Sequence, residues 1–338
     1  MTCVNIETCY YCNSFAFMRI AFVGKGGSGK STLAASFTSY LSKNTDKPVV
    51  VFDADINVHI PGLLGFETLS VEKHLSTPVV EKEVKKWLVG DNEMKDLAMF
   101  RKTTPPTRQS NILRLNTLGQ TPLQTFVVQK DSLSVFAVGT YQEEGIGASC
   151  YHNSLAIFES LLNHTDDKDG YVVVDMVAGV DAFAGTLHAQ FDMTCLVVEP
   201  TRRSVEVYKK YKALATEAGV LKGLVVIANK VRTDADLSFI QEHVEEDVLV
   251  GCFFEDEHIR YIDQTGEAIS SGSLTVENQT LLGAIAEKLD NMPDERDLRL
   301  QKMWKLHKKY VSQAFIKERF GDLTNQIDLE FSYRQVEP

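Results

Sequence analysis

The run Gly24-Lys25-Gly26-Gly27-Ser28-Gly29-Lys30-Ser31-Thr32 joins four glycines to two lysines and three hydroxyl side chains. Glycines let the backbone take φ > 0 and bring its N–H groups close to a polyphosphate. At that spacing Lys30 can reach β- and γ-phosphates, Ser31 can ligate Mg²⁺, and the Thr32 hydroxyl can reach an α-phosphate. Two other stretches end in acids. An apolar run over 48–52 leads to Asp53-Ala54-Asp55, and one over 171–174 leads to Asp175. Carboxylates at the carboxyl ends of parallel strands stand where ligands bind in open α/β sheets, and Asp175 is placed to hold Mg²⁺.

The elements that must position these residues follow from periodicity. Residues 19–23 are short, apolar and β-prone, and 33–41 have helical spacing, so the glycine run bridges a strand and a helix whose positive N-terminus meets the same anion. Beyond Asp175 the alternation continues, with strands expected at 193–198, 222–228 and 248–253 and helices at 204–218 and 280–289. The expected fold is a doubly wound, mainly parallel α/β sheet flanked by helices, with an α-helical C-terminal appendage. Residues 1–17 read as a leader, 18–290 as the nucleotide-binding domain with an insertion at about 66–145, and 291–338 as a helical extension. Within the insertion, 79–88 and 91–100 have helical patterns, and 125–129 and 132–138 read as two strands about a turn.

Lys25, directly after the first glycine, gives K-G-G-S-G-K-S-T. This resembles the deviant Walker A sequence of the MinD/ParA group of P-loop ATPases, which includes nitrogenase iron protein and the CooC-like nickel-insertion ATPases. The resemblance implies that Lys25 crosses a nucleotide-sandwich homodimer to the partner's phosphates; a solvated loop lysine is the plain alternative. Asp53-Ala54-Asp55 with the following Asn57 and Leu64-Gly65 is similar to switch I of that group. The likeness implies that Asp55 positions the attacking water and that Asp53 lies near the Mg²⁺ shell. Asp175-Met176-Val177-Ala178-Gly179 resembles switch II, which implies that the Gly179 N–H meets the γ-phosphate. The D-M-x-A-G phrasing is nearest to CooC-like proteins, although those usually carry Glu where Val177 stands. The pair Asn229-Lys230 resembles the group's adenine-side motif, making Asn229 the expected base contact.

CooC-like proteins carry a metal-binding C-x-C pair in a glycine-rich stretch that corresponds to 145–153. Here Cys150 is kept and His152 stands in the second position. Both are good ligands for Ni²⁺ or Zn²⁺, and two copies across a dimer would supply four; a helix-entry loop with an ordinary cysteine is the competing reading. In the extension, Leu300, Met303, Trp304, His307, Tyr310, Val311, Ala314 and Phe315 share one helical face, and Arg299, Lys302, Lys305, Lys308 and Lys309 decorate the rest. Packing against the core or a dimer partner fits this helix better than lying on a membrane.

The whole chain sets limits. Its 338 residues, 44% hydrophobic and 24% charged, suit a globular protein, and a formal charge of −11 gives no strong nucleic-acid signal. Six cysteines are too few for a disulfide framework and no apolar run reaches a membrane span, so the cytoplasm is the expected compartment. The expected activity is slow, Mg²⁺-dependent ATP hydrolysis by a dimer switch, in nickel metallocentre maturation with a metalloenzyme client. The alternatives are a positioning or partitioning ATPase and a regulatory ATP-binding module with little turnover.

Overall fold

In the structure, a computed structural model, residues 18–91, 97–139 and 151–335 are described, with 151–153 as backbone alone. The described residues open with β1 (Met18–Gly24), α1 (Lys30–Asn44), β2 (Val49–Ala54), α2 (Ile60–Leu63) and α3 (Pro78–Val89). There follow β3 (Leu113–Arg114), β4 (Val127–Lys130), β5 (Leu133–Ala137), α4 (Tyr151–Asn163), β6 (Thr165–Asp166) and β7 (Tyr171–Met176). Next come β8 (Met193–Val198), α5 (Arg202–Glu217), β9 (Leu224–Val231), α6 (Asp234–His243), β10 (Leu249–Phe254) and α7 (Glu257–Thr265). The last helices are α8 (Val276–Asp290), α9 (Arg296–Val311) and α10 (Ala314–Phe320). No helix among the described residues is long and apolar enough to cross a membrane.

Eight strands form one sheet in the order β10-β9-β8-β1-β7-β2-β5-β4, parallel throughout except for β4 against β5. Side chains alternate across it. Ala21 and Val23 of β1 join the core that includes Val50, Phe52, Val172 and Val174 and is covered by α3, α4 and α5. Ile20 and Phe22 join the opposite core with Val49, Val51, Val173 and the apolar sides of α1 and α8. Strands buried on both faces must be apolar at every position, which is why their sequences lack a polar alternation. β1 lies centrally between β7 and β8, so the loop after it opens into the crevice at the carboxyl ends of the strands.

Two expectations change. β5 pairs with β2 in parallel from Val49–Leu133 to Asp53–Ala137, and Val80, Val84 and Leu88 of α3 enter the first core. These parts of 66–145 therefore belong to the sheet and its cover; a short apolar strand carries no mark of which edge it will join. In the helical pattern at 91–100, a 3-10 turn at Leu97–Met99 is present, and 92–96 lie outside the described residues.

The extension packs on the domain. Leu300 and Met303 cluster with Phe331 and Tyr333, and Val311 with Ile316 and Leu323, whereas Phe315 is exposed. Arg299, expected among the outward charges, is 3% exposed. Its Nη1 donates to both carboxylate oxygens of Asp192 (2.7 and 2.9 Å) and its Nη2 to both of Asp167 (2.8 and 3.0 Å). Arg19 of β1, also fully buried, donates from Nε to Asp167 at 3.2 Å. Helical periodicity assigns a charged residue to solvent; here the compensating carboxylates come from distant segments.

Candidate nucleotide site

The glycine loop has the shape its sequence requires. Gly27 and Gly29 have φ of 78° and 92°, and Gly29 is the residue that opens α1. A Cβ at Gly29 would stand 2.2 Å from the Asn229 amide nitrogen, and one at Gly24 would stand 2.7 Å from the Val197 carbonyl oxygen. By contrast, nothing lies within 4 Å of the Cβ position of Gly27, which faces open space. Helices α5, α6, α7 and α8 are each capped by a side chain, from Thr201, Thr233, Asp256 and Thr275. Helix α1 has neither a side-chain cap nor an acid in its first turn. Its N-terminal N–H groups and its dipole are therefore left to an external anion.

The lysines and acids separate by burial. Lys30 is 5% exposed, with Nζ 3.6 Å from Asp55 Oδ2. The other Asp55 oxygen accepts from the Asn57 backbone N–H and side-chain amide at 3.2 and 3.1 Å. Register places Asp53 beside Asp175 on the neighbouring strands β2 and β7. Asp53 is committed to the backbone, accepting from Ile60 N at 2.8 Å and Asp55 N at 3.2 Å. Burial, then the neighbouring Asp175, holds the Asp53 carboxyl well above the usual range. Burial also pushes the Asp175 carboxyl up to about 7, against the pull of Lys30 and the Ser31 hydroxyl.

Both Asp175 oxygens are buried without a partner of full hydrogen-bond geometry. A buried carboxylate in that state is costly unless a cation completes it. Its hard oxygens and the Ser31 hydroxyl fit Mg²⁺, which takes few protein ligands and shares the rest of its shell with phosphates and water. Asp53, with its oxygens engaged, suits the outer shell. Among the described residues no group of three or more His, Cys, Asp or Glu is placed to hold a metal ion. Cys150 lies outside the described residues, and of His152 only its backbone, in the first turn of α4, is described.

Three residues behave differently from expectation or were missed. The Gly179 N–H, expected to be free for a phosphate, donates to the Gly24 carbonyl at 2.9 Å, so the loop after Asp175 is stitched to the glycine loop. Asn229, expected beside a base, has its side-chain amide donating to the Ser28 carbonyl at 2.7 Å and so braces the glycine loop. It also lines a cleft of about 450 Å³ with Thr32, Lys230, Phe253 and Phe254. Glu199, at the end of β8, was not singled out. It accepts from Lys230 at 2.9 Å and lies 3.7 Å from Lys25, whose side chain is 37% exposed. Lys230, at φ 58°, also donates to the Gly27 carbonyl at 2.6 Å. An acid directly after the apolar, β-prone run 193–198 was the available signal for Glu199.

Known proteins agree with this geometry. The sequence matches the CobQ/CobB/MinD/ParA nucleotide-binding domain over residues 20–276, more than half of the chain. It is 29% identical to the carbon monoxide dehydrogenase accessory protein CooC of Rhodospirillum rubrum, over 74% of this chain and 88% of that one. It is 28% identical to an uncharacterized ATP-binding protein of Methanocaldococcus jannaschii, over 76% of this chain and 92% of that one. Among solved structures, the septum site-determining protein MinD of Pyrococcus horikoshii complexed with Mg-ADP aligns with a TM-score of 0.52 at 17% identity. That alignment spans 81% of this chain and 96% of MinD, and it supports the fold. With its phosphate loop and buried Lys30, the chain belongs to the CobQ/CobB/MinD/ParA family and is a P-loop ATPase.

Proposed function

We propose that this ATPase works as a nucleotide-controlled homodimer in metallocentre maturation, with nickel as the leading cargo and a metalloenzyme as client. The observation that carries the dimer reading is the division of labour between the two lysines. Lys30 is buried against Asp55 inside the loop, whereas Lys25 is more than one-third exposed and held at its outer flank by Glu199. A lysine on that rim, in only a loose ion pair, can turn from Glu199 to a second copy, and hydrolysis would then wait for assembly. Similarity to CooC and the pair Cys150 and His152 support the maturation role.

Residue roles follow. Lys30 neutralises phosphate charge, and the N-terminus of α1 with Gly24, Gly26, Gly27, Ser28, Gly29 and Thr32 cradles the phosphates. Ser31 and Asp175 hold Mg²⁺, with Asp53 in the outer shell; the ion, when bound, draws charge from the phosphate oxygens. Asp55 orients the water, Gly179 couples the switch to the glycine loop, and Asn229 borders the base.

Lys25→Ala is expected to keep ATP binding and lose hydrolysis; full activity would refute the trans role. Asp55→Ala with ATP and Mg²⁺ is expected to be dimeric by light scattering and to hold about one Ni or Zn per dimer, lost in Cys150→Ser. A metal-free dimer would remove nickel and zinc from the reading. Pelleting with liposomes or DNA would instead identify a positioning ATPase.

A further inference from the structure

The loop after Asp175 is fastened at two points. At one, the Gly179 N–H meets the Gly24 carbonyl of the glycine loop. At the other, Glu159 of α4, 2% exposed, receives Thr186: its Oε1 accepts from the Thr186 backbone N–H at 2.9 Å and from the Thr186 hydroxyl. The fit is close. A Cβ at Gly185 would stand 2.6 Å from Glu159 Oε2, so a side chain there would have to displace this carboxylate. Between the two fastenings runs the 3-10 turn Asp181–Ala184, with Phe183 stacked on His188 and edge-on to Tyr211 of α5.

We propose that Glu159 is the positioning residue for ATP hydrolysis, holding the loop from Gly179 to Thr186 at the height at which Asp175 and the glycine loop act together. The inference rests on the role given above to Asp175 and Gly179. A burial this deep is a poor place for a carboxylate: desolvation pushes Glu159 upward, while Lys102 and the two Thr186 donors pull it back. A well-packed apolar side chain would serve stability at least as well there. What the carboxylate adds is one directed acceptor, Oε1, that takes both Thr186 donors of the loop.

Glu159 also has an outward connection. Lys102 Nζ lies 4.0 Å from its Oε2 and 5.6 Å from the centre of the Tyr310 ring on α9. The neighbouring Thr103 hydroxyl pairs with His307 of α9 at 2.9 Å. A displacement of the extension therefore has a short, packed route to the loop through Lys102 and Glu159.

The test compares ATPase kinetics of Thr186→Val, which removes the hydroxyl but keeps the shape, with Thr186→Ser, which restores it. Glu159→Leu, which removes the acceptor, and the double variant Glu159→Leu/Thr186→Val complete a cycle. Thr186→Val is expected to lower kcat about tenfold with KM within about twofold, and Thr186→Ser to recover it. Glu159→Leu is expected to lower kcat at least as much with KM likewise within about twofold, and the double variant to lose less than the sum of the two, since they act through one contact. Wild-type kcat in Thr186→Val and Glu159→Leu, or equal losses in Thr186→Val and Thr186→Ser, overturns the proposal. If Thr186→Val does not fold, Glu159→Leu decides by the same kcat and KM thresholds. Asp175→Asn separates the premises: if it hydrolyses normally, the reading of the site fails; if it is inactive while the Glu159 and Thr186 variants are normal, only this inference fails.

Discussion

Replacing Arg299 with methionine keeps much of the side-chain volume and removes the charge. In the native fold two guanidinium groups, Arg19 and Arg299, serve two buried carboxylates, Asp167 and Asp192. Without Arg299 one cation remains for two anions, and four donated hydrogen bonds disappear. Breaking a buried ion pair on one side costs about 3–5 kcal/mol. With an unfolding entropy of about 2.1 cal/mol/K per residue over this chain, that loss lowers Tm by roughly 4–7 °C at neutral pH. The pH dependence carries the sharper test. Burial alone raises Asp167 and Asp192; Arg19 and Arg299 bring Asp167 below its usual value, and Arg299 partly restrains Asp192. In Arg299→Met both folded-state pKa values rise. A raised acid favours the folded state where it is protonated and penalises it once pH exceeds the unfolded value. The deficit should therefore be larger at pH 8 than at pH 5. Differential scanning calorimetry at both pH values measures it. An unchanged Tm, or a deficit equal at the two pH values, would refute the assignment of Arg299 to a buried ionic junction.

Gly29→Ala must hold φ near 92° and push its Cβ into Asn229, so nucleotide affinity should fall at least about tenfold, read by a fluorescent ATP analogue. Because the Asp175 carboxyl is pushed up to about 7, Mg²⁺ must displace a proton below that pH. Mg²⁺ affinity in calorimetric titrations should drop by about tenfold per pH unit below 7 and level off above it. A flat profile would exclude Asp175 as the ion's anchor. Glu199→Gln weakens the hold on Lys25 and Lys230 at a partly exposed site, so stability by denaturant unfolding should change by no more than about 1 kcal/mol, with any effect appearing in ATPase rate.

The sequence revealed what is decided locally. Strand, glycine turn and helix are contiguous, so the loop from Gly24 to Thr32 was recognisable from spacing, and Asp53 and Asp175 from their places at strand ends. Relations across the sheet were not. That Glu199 faces Lys25 follows from β8 lying beside β1, and that the Gly179 N–H belongs to Gly24 follows from β7 lying on the other side. The Glu159–Thr186 contact joins a helix to a loop that are separated by β6 and β7. Arg299 misled for a related reason, because a helical wheel treats charge as a sign of solvent whatever distant carboxylates await it.

The central place of β1 also bears on how the chain is made. It is the first strand of the domain to be synthesised, yet both of its neighbours, β7 and β8, come more than a hundred residues later. Its Arg19 meets Asp167 and Asp192, which flank β7 in sequence, and those carboxylates await Arg299, more than a hundred residues later again. On the ribosome the phosphate loop therefore exists as sequence well before it can exist as a site. An apolar strand with a buried charge stays without sheet partners through about half of translation, the interval in which such segments are exposed to aggregation and to chaperones.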